Sequence, residues 1–359
     1  MKTKRAILVS VLGIMVILTA FFFIKIGWVI TGEKDIDKKR MGYCFDVATS
    51  DDGSRLFVAA GDRGVHIFDL DQGRMKYATT YYDDGYYRNL KVLRDRAYVA
   101  DSRRGLVVLD ISGSFPRTTW TQSNSSGAAG LHLEDDKVYL AAYEEGLQIY
   151  DISNPDAPAL LSTLSTGDYS WDVWVHNDFA YIADFNIGVS IADVSSPEAP
   201  QLIGSVTWTN RYPSAEILRG EGNTIYVAAS DHGLVVIDVS NPRDPVIASS
   251  YRPIRIGNAE GLAVRDGVVY LAQGSKFEFK AGGEPIEFAT TIDNGLHIID
   301  TIDPYAPHLI SKINFMGWVE GVHITGKYVY IANGFNGVRS IDVDDRANPS
   351  IIDSFLSLP

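Results

Sequence analysis

The chain is predicted to be all-β: a seven-bladed β-propeller of four-stranded antiparallel blades, preceded by one N-terminal transmembrane helix. Three observations predict this. First, an aspartate closes an apolar run seven times, at Asp69, Asp110, Asp151, Asp193, Asp238, Asp300 and Asp342, with spacings of 41, 41, 42, 45, 62 and 42 residues. A glycine stands five residues before each: Gly64, Gly105, Gly146, Gly188, Gly233, Gly295 and Gly337. Second, each copy contains further short apolar runs, such as "AYVAD" (97–101) before the glycine, "GLHL" (130–133) before that, and "APALLSTL" (157–164) after the aspartate. Four short strands in roughly 40 residues, repeated around a ring, is the sequence signature of a propeller. Third, no stretch beyond residue 30 carries a helical period, whereas Ala6–Ile24 is uncharged throughout.

The elements follow in order. Residues 1–5 form a short basic N-terminus with Lys2, Lys4 and Arg5. Residues 6–30 read as a transmembrane signal anchor, because the uncharged run is long enough to cross the hydrocarbon core and no small-residue cleavage site follows it. Trp28 suits an interfacial position beyond Lys25. Residues 31–42, including "TGEKDIDKKR", read as a polar stalk, and residues 43–359 supply the seven blades.

Within a blade, the glycine is expected at the tight turn between second and third strands, where a left-handed backbone suits Gly. The aspartate is expected to accept hydrogen bonds from the amides of the following Ser-Asn-Pro-type turn. Pro158, Pro200, Pro245, Pro307 and Pro349 would open the fourth strand, an outer edge that tolerates a missing amide. A reactive acid repeated seven times around a ring makes no chemical sense, so these aspartates and glycines are read as architecture.

Near-copies such as "GLVVIDVSNPRDP" (233–245), "GLVVLDIS" (105–112), "GLQIYDISNPDAP" (146–158) and "GLHIIDTIDPYAP" (295–307) resemble the LVIVD-repeat proteins, a family of bacterial and archaeal surface or secreted proteins. The likeness covers residues 43–359. It is clear in blades two to seven and weak in blade one, where "HIFDLDQGRM" lacks the prolines. The resemblance implies a propeller and a location outside the cytoplasm. It supplies no catalytic residues.

Charge narrows the partners. The net charge is −13, but residues 1–40 carry a surplus of +5, leaving −18 on the remainder. A body this acidic lacks the basic stripe that nucleic acid requires. The single cysteine, Cys44, rules out an internal disulfide or a thiolate cluster. Neither GxSxG, a P-loop nor HExxH occurs. His132 and His323 fall in one first-strand column with Lys91, Trp174 and Ala263, and read as strand histidines. His66 and His297 share a third-strand column with Gln148, Ser190 and Arg339, expected to be polar and partly exposed.

Function is therefore sought where the copies differ. First strands line the axis of a propeller, and their entry residues break the repeat. One column reads Phe45, Arg88, Ala129, Trp171, Ala215, Glu260 and Glu320; the next reads Asp46, Asn89, Gly130, Asp172, Glu216, Gly261 and Gly321. Asp46, Asp172, Glu216, Glu260 and Glu320 would gather carboxylates suited to Ca²⁺, another divalent cation or a basic group; no cofactor is otherwise predicted. Aromatic and basic residues in "YYDDGYYRN" (81–89), "GDYSW" (167–171), "TWTNRYP" (207–213) and "FMGW" (315–318) fall in interblade loops on that face, where Arg88, Trp171 and Trp318 would supply contacts. The long spacing in blade six places an insertion at 274–295, whose "KFEFK" and "IEFAT" read as a hairpin carrying Phe277, Phe279, Ile286 and Phe288 as a docking stripe. The sequence thus predicts a membrane-anchored, extracytoplasmic binding or scaffold module with a protein or envelope-component partner. The alternative is a divalent-metal-dependent hydrolase or lactonase built on the channel carboxylates.

Overall fold

The computed structural model describes residues 41–122, 127–209, 212–252, 257–275, 294–315 and 317–356. The expected membrane span at 6–30 lies outside these residues, as do Phe277, Phe279, Ile286 and Phe288 of the blade-six insertion. No helix among the described residues is long and apolar enough to cross a membrane.

Each second strand carries the same local code: a bulky ring, one apolar residue, then alanine. The rings are Phe57, Tyr98, Tyr139, Tyr181, Tyr226, Tyr270 and Tyr330, and the alanines are Ala59, Ala100, Ala141, Ala183, Ala228, Ala272 and Ala332, all buried. Aromatic and β-branched residues favour the pleated, covered surface this creates. The described strands assemble into seven four-stranded antiparallel sheets, occupying 46–81, 87–121, 130–164, 170–206, 217–251, 257–275 with 295–314, and 322–355. Every sheet pairs its strands in chain order. First strands of neighbouring blades touch all the way round, the seventh meeting the first. This is the seven-bladed propeller the repeat predicts.

The core is divided into seven apolar clusters, one between each pair of adjacent blades. Among the described residues no strand is exchanged to close the ring. Blade seven meets blade one through a cluster that joins Tyr330, Ala332 and Val338 to Leu56, Val58 and Phe68. Cys44 N donates to Gly334 O at 3.1 Å, Met75 N donates to Asp353 Oδ2 at 2.9 Å, and Phe68 meets Phe355 edge-on at 5.0 Å. Met41 is buried in the same seam.

The glycine before each third strand has positive φ in all seven blades, from +76° at Gly337 to +135° at Gly295. At Gly146, φ is +82° and an added Cβ would stand 2.3 Å from Leu164 O. Fourth strands begin at Ala159, Gln201, Val246, His308 and Ser350, directly after the five prolines. A register shift recurs between third and fourth strands of every blade, as at Ile149/Tyr150 and Ser340/Ile341. Such bulges twist the outer edge away from flat pairing with another sheet.

Six of the seven aspartates close their turn by accepting the amide two residues on: Asp110 from Ser112 at 2.9 Å, Asp151 from Ser153 at 2.7 Å, Asp193 from Ser195 at 3.2 Å, Asp238 from Ser240 at 2.8 Å, Asp300 from Ile302 at 2.9 Å and Asp342 from Asp344 at 2.9 Å. Asp69 departs from this expectation. Its strand runs on to Asp71 and turns through Gln72 (φ 48°) and Gly73 (φ 81°) directly into the fourth strand, so Asp69 pairs with Lys76 inside a continuous ladder and is exposed.

The third-strand histidine column also differs from expectation. His66, Gln148, Ser190 and His297 are all buried, because this column faces the neighbouring blade. His66 donates through Nε2 to Met41 O at 2.8 Å and meets Thr80 Oγ1 at 2.7 Å.

Candidate functional site

The entry to each first strand is set by its pairing with the second-strand alanine. Phe45, Ala129, Glu216 and Glu320 donate their amides to Ala59, Ala141, Ala228 and Ala332, at 2.8, 2.9, 2.9 and 2.9 Å. In blades two, four and six the register slips by one residue, and the extra residues are Arg88, Trp171 and Glu260. A bulge re-aims the extra side chain, and here all three line the axial mouth. The mouth column therefore reads Phe45, Arg88, Ala129, Trp171, Glu216, Glu260 and Glu320. Glu216 belongs with Glu260 and Glu320, one position from its expected place, and Ile217 takes the next column by pairing with Ala228.

These residues line an open-mouthed cavity of about 160 Å³ whose lining includes Tyr43, Phe45, Asp46, Arg88, Trp171, Glu216, Arg219, Glu260, Trp318 and Glu320. One wall is aromatic and cationic. The Arg88 guanidinium lies over both Phe45 and Trp171, 4.9 Å from each ring centroid, a geometry in which ring quadrupoles attract the cation. Trp171 meets Tyr143 edge-on at 5.6 Å, and its buried indole N–H has no acceptor. The other wall is acidic. Burial raises Glu216 to about 7, with Glu320 pushing it further up and Arg88 drawing it back. Burial, then Glu216 and Glu320, raises Glu260 well above the carboxylate range. Burial also raises Glu320, against the pull of Tyr43 and Arg88. Tyr43 Oη donates to Glu320, and burial lifts that phenol well above its ordinary value. Three acidic side chains thus face the Arg88 guanidinium across the cavity.

A second tier lies beneath. Asp46 pairs with Lys91 of the next blade at 3.2 Å and accepts Leu90 N at 3.3 Å. Asp172 repeats the arrangement three blades on, pairing with Arg219 at 2.5 Å and accepting Leu218 N at 3.2 Å. Asp172 is fully buried and is not part of the cavity lining. The five expected carboxylates thus divide by level: three glutamates meet at the mouth, while two aspartates are spent on interblade ion pairs. His132 and His323 sit in the column of Lys91 and Arg219, opposite Tyr139 and Tyr330. Burial and those cations lower His132 to about 3 and His323 to about 4, so both imidazoles are neutral at physiological pH. His323 Nε2 stands 3.0 Å from Thr49 Oγ1. Among the described residues no group of three or more His, Cys, Asp or Glu is arranged to hold a metal ion.

Around the mouth, the loops that join fourth to first strands and second to third strands carry exposed rings: Tyr82, Tyr169, Tyr212 and Phe335. Phe335 is 71% exposed and packs edge-on against Tyr43 of the cavity wall at 4.9 Å.

The LVIVD repeat model matches residues 84–114, 128–166, 167–208, 218–252 and 316–357, more than half of the chain. The chain belongs to the LVIVD-repeat family. The matched stretches are blades two, three, four, five and seven of this LVIVD propeller; blade one, with its continuous hairpin, and blade six, with its insertion, fall outside them. No curated protein matches the chain. Among solved structures it is similar to the WD40 β-propeller domain of Doa1, at 11% identity over 86% of this chain and 95% of that one, with a TM-score of 0.66. It is also similar to the β-propeller domain of Cps50 (Swd1) from Myceliophteria thermophila, at 14% identity over 82% and 95% with a TM-score of 0.64. Saccharomyces cerevisiae Sqt1 is similar at 11% identity over 87% and 85%, with a TM-score of 0.62. At such identities the likeness is one of fold.

Proposed function

We propose that this LVIVD propeller is a binding module, held at the membrane by its N-terminal segment with the propeller outside the cytoplasm, that receives its partner on the face surrounding the axial mouth. The observation that carries the reading is the mouth itself. Elsewhere the copies repeat one another; at the mouth they break the repeat and leave a charged cavity rimmed by exposed aromatic rings. A cavity with aromatic walls and a few convergent polar groups is the usual form of a ligand site, and exposed Tyr and Phe supply contact area at low entropic cost. The uncharged run Ala6–Ile24 supports the anchor, and the family resemblance supports the external location.

Site-specific photo-crosslinking in native membranes tests the face. A crosslinker at Tyr169 or Tyr212 is expected to give a discrete adduct, and one at Ile302 or Tyr305, on turns at the opposite ends of the strands, is expected to give none. Equal adducts from both faces would refute the assignment. Alkaline carbonate extraction tests the anchor: the full-length chain should stay with the membranes, and its release would overturn the anchoring.

A further inference from the structure

Opposite charges face one another across the mouth without meeting. The Arg88 guanidinium, held over Phe45 and Trp171, makes no hydrogen bond or ion pair among the described residues, and neither does the Glu216 carboxylate. The contrast with the tier below is sharp: there Lys91 and Arg219 each close on an aspartate, at 3.2 and 2.5 Å. A half-buried guanidinium and a half-buried carboxylate whose donors and acceptors face the cavity are placed to engage an entering group of complementary charge.

A ligand that engages both walls carries both signs. A bare cation would answer the glutamates but leave the Arg88 donors open. A bare anion would suit Arg88 but leave the acidic wall of Glu216, Glu260 and Glu320 unanswered. A dipolar molecule answers both walls at once: its carboxylate takes the planar donor fork that guanidinium presents, and its ammonium takes the acidic wall. The cavity of about 160 Å³ has room for roughly five waters at ~30 Å³ each, the scale of a small molecule rather than a peptide segment. Tyr43 and Trp318 complete the aromatic lining and would flank its carbon skeleton.

We infer that the axial mouth binds a small zwitterion of the α-amino acid class, with its carboxylate on Arg88 and its ammonium on Glu216, Glu260 and Glu320. The inference rests on the mouth being the working site and names the chemistry of what enters it.

Calorimetric titration of the purified full-length chain at neutral pH tests it. The probes are glycine, L-alanine and L-leucine, each beside its methyl ester, which keeps only the ammonium, and its N-acetyl form, which keeps only the carboxylate. At least one free amino acid should bind, and both of its derivatives should bind about tenfold or more weakly, as expected when one charged hydrogen-bond partner is lost. Arg88→Lys and Glu216→Gln should each weaken binding to a similar degree while melting like the native chain. Should either variant fail to fold, the comparison of derivatives on the native chain decides alone. An ester that binds as tightly as its parent makes this a cation site and overturns the inference; an equally tight N-acetyl form makes it an anion site and does the same. Absence of binding by all three free amino acids at millimolar concentration also overturns it. None of these results alters the crosslinking outcome, so the ligand class and the working face stand or fall separately.

Discussion

Replacing Asp184 by asparagine should flatten one segment of the stability profile against pH. Asp184 is fully buried. One of its oxygens accepts from Ser170 Oγ at 2.7 Å and Thr166 Oγ1 at 3.1 Å, while the other has no partner. Burial raises its pKa from 3.8 to about 6. Below the unfolded value the group is protonated in both states. Between 3.8 and about 6 the unfolded chain ionises and the folded one does not, so stability falls as pH rises; above that window the loss is complete. At about 1.36 kcal/mol per pH unit, the loss is roughly 3 kcal/mol, or roughly 4–5 °C in Tm for a folded body of this length at the usual entropy per residue. Asp184→Asn cannot ionise, so its Tm relative to the native chain should rise by that amount between pH 4 and pH 7, measured by thermal melting in matched buffers. An identical difference at both pH values would refute the assignment of a buried, protonated acid. Asp101 occupies the same position in blade two, pairing with Gly105 as Asp184 pairs with Gly188, but there Arg104 reaches it at 2.6 Å. Asp101→Asn should therefore act with the opposite sign at pH 7, destabilising by about 1–2 kcal/mol, the worth of one charged hydrogen bond, since Arg104 keeps its pair with Asp83 at 2.9 Å.

Three further outcomes are expected. Gly146→Ala should lower stability by about 2 kcal/mol or more, because the left-handed backbone disfavours a Cβ and that Cβ would meet Leu164 O at 2.3 Å; thermal melting reads it. Arg219→Met should cost roughly 3–5 kcal/mol by leaving the buried Asp172 unpaired, and Arg219→Lys should recover much of it. Tryptophan fluorescence of the mouth, from Trp171 and Trp318 in the cavity lining, should titrate with a midpoint near that of Glu216, about 7. Glu320→Gln should move that midpoint downward by removing a neighbouring negative charge.

The blade count was legible because it is written in backbone chemistry. A glycine forced to positive φ and an aspartate closing its own turn recur at fixed offsets, whatever the side chains between them do. Asp69 escaped because only the motif was counted; the signal was present in "DQGR" (71–74), whose glycine permits a two-residue hairpin that carries the third strand past the aspartate. Glu216 was placed one column off for a related reason. The loop before it is long, so counting forward from blade four loses register. Counting back twelve residues from Ala228 instead gives Glu216, just as twelve back from Ala100, Ala183, Ala272 and Ala332 gives Arg88, Trp171, Glu260 and Glu320. The fate of Asp46 and Asp172 was not legible at all. Their cations stand on the next blade, some 45 residues along for Asp46 and 47 for Asp172, and only the assembled ring shows that those acids are already occupied. The burial of His66 and His297 was hidden likewise, since alternation tells which side a residue faces but not that another blade covers it.

Each sheet of this ring is complete within one uninterrupted stretch of chain, and the joint between last and first blades has an apolar cluster of its own like the other six. Linear order and circular order are therefore nearly independent here. The chain could be opened between any two blades and rejoined at the present ends without dividing a single sheet, and a duplicated or deleted unit would arrive or leave as a whole blade. The second-strand alanines lie buried at the interblade surfaces, where small side chains let neighbouring blades approach closely. The fold can change which blade comes first while leaving the axis and its charged mouth where they are.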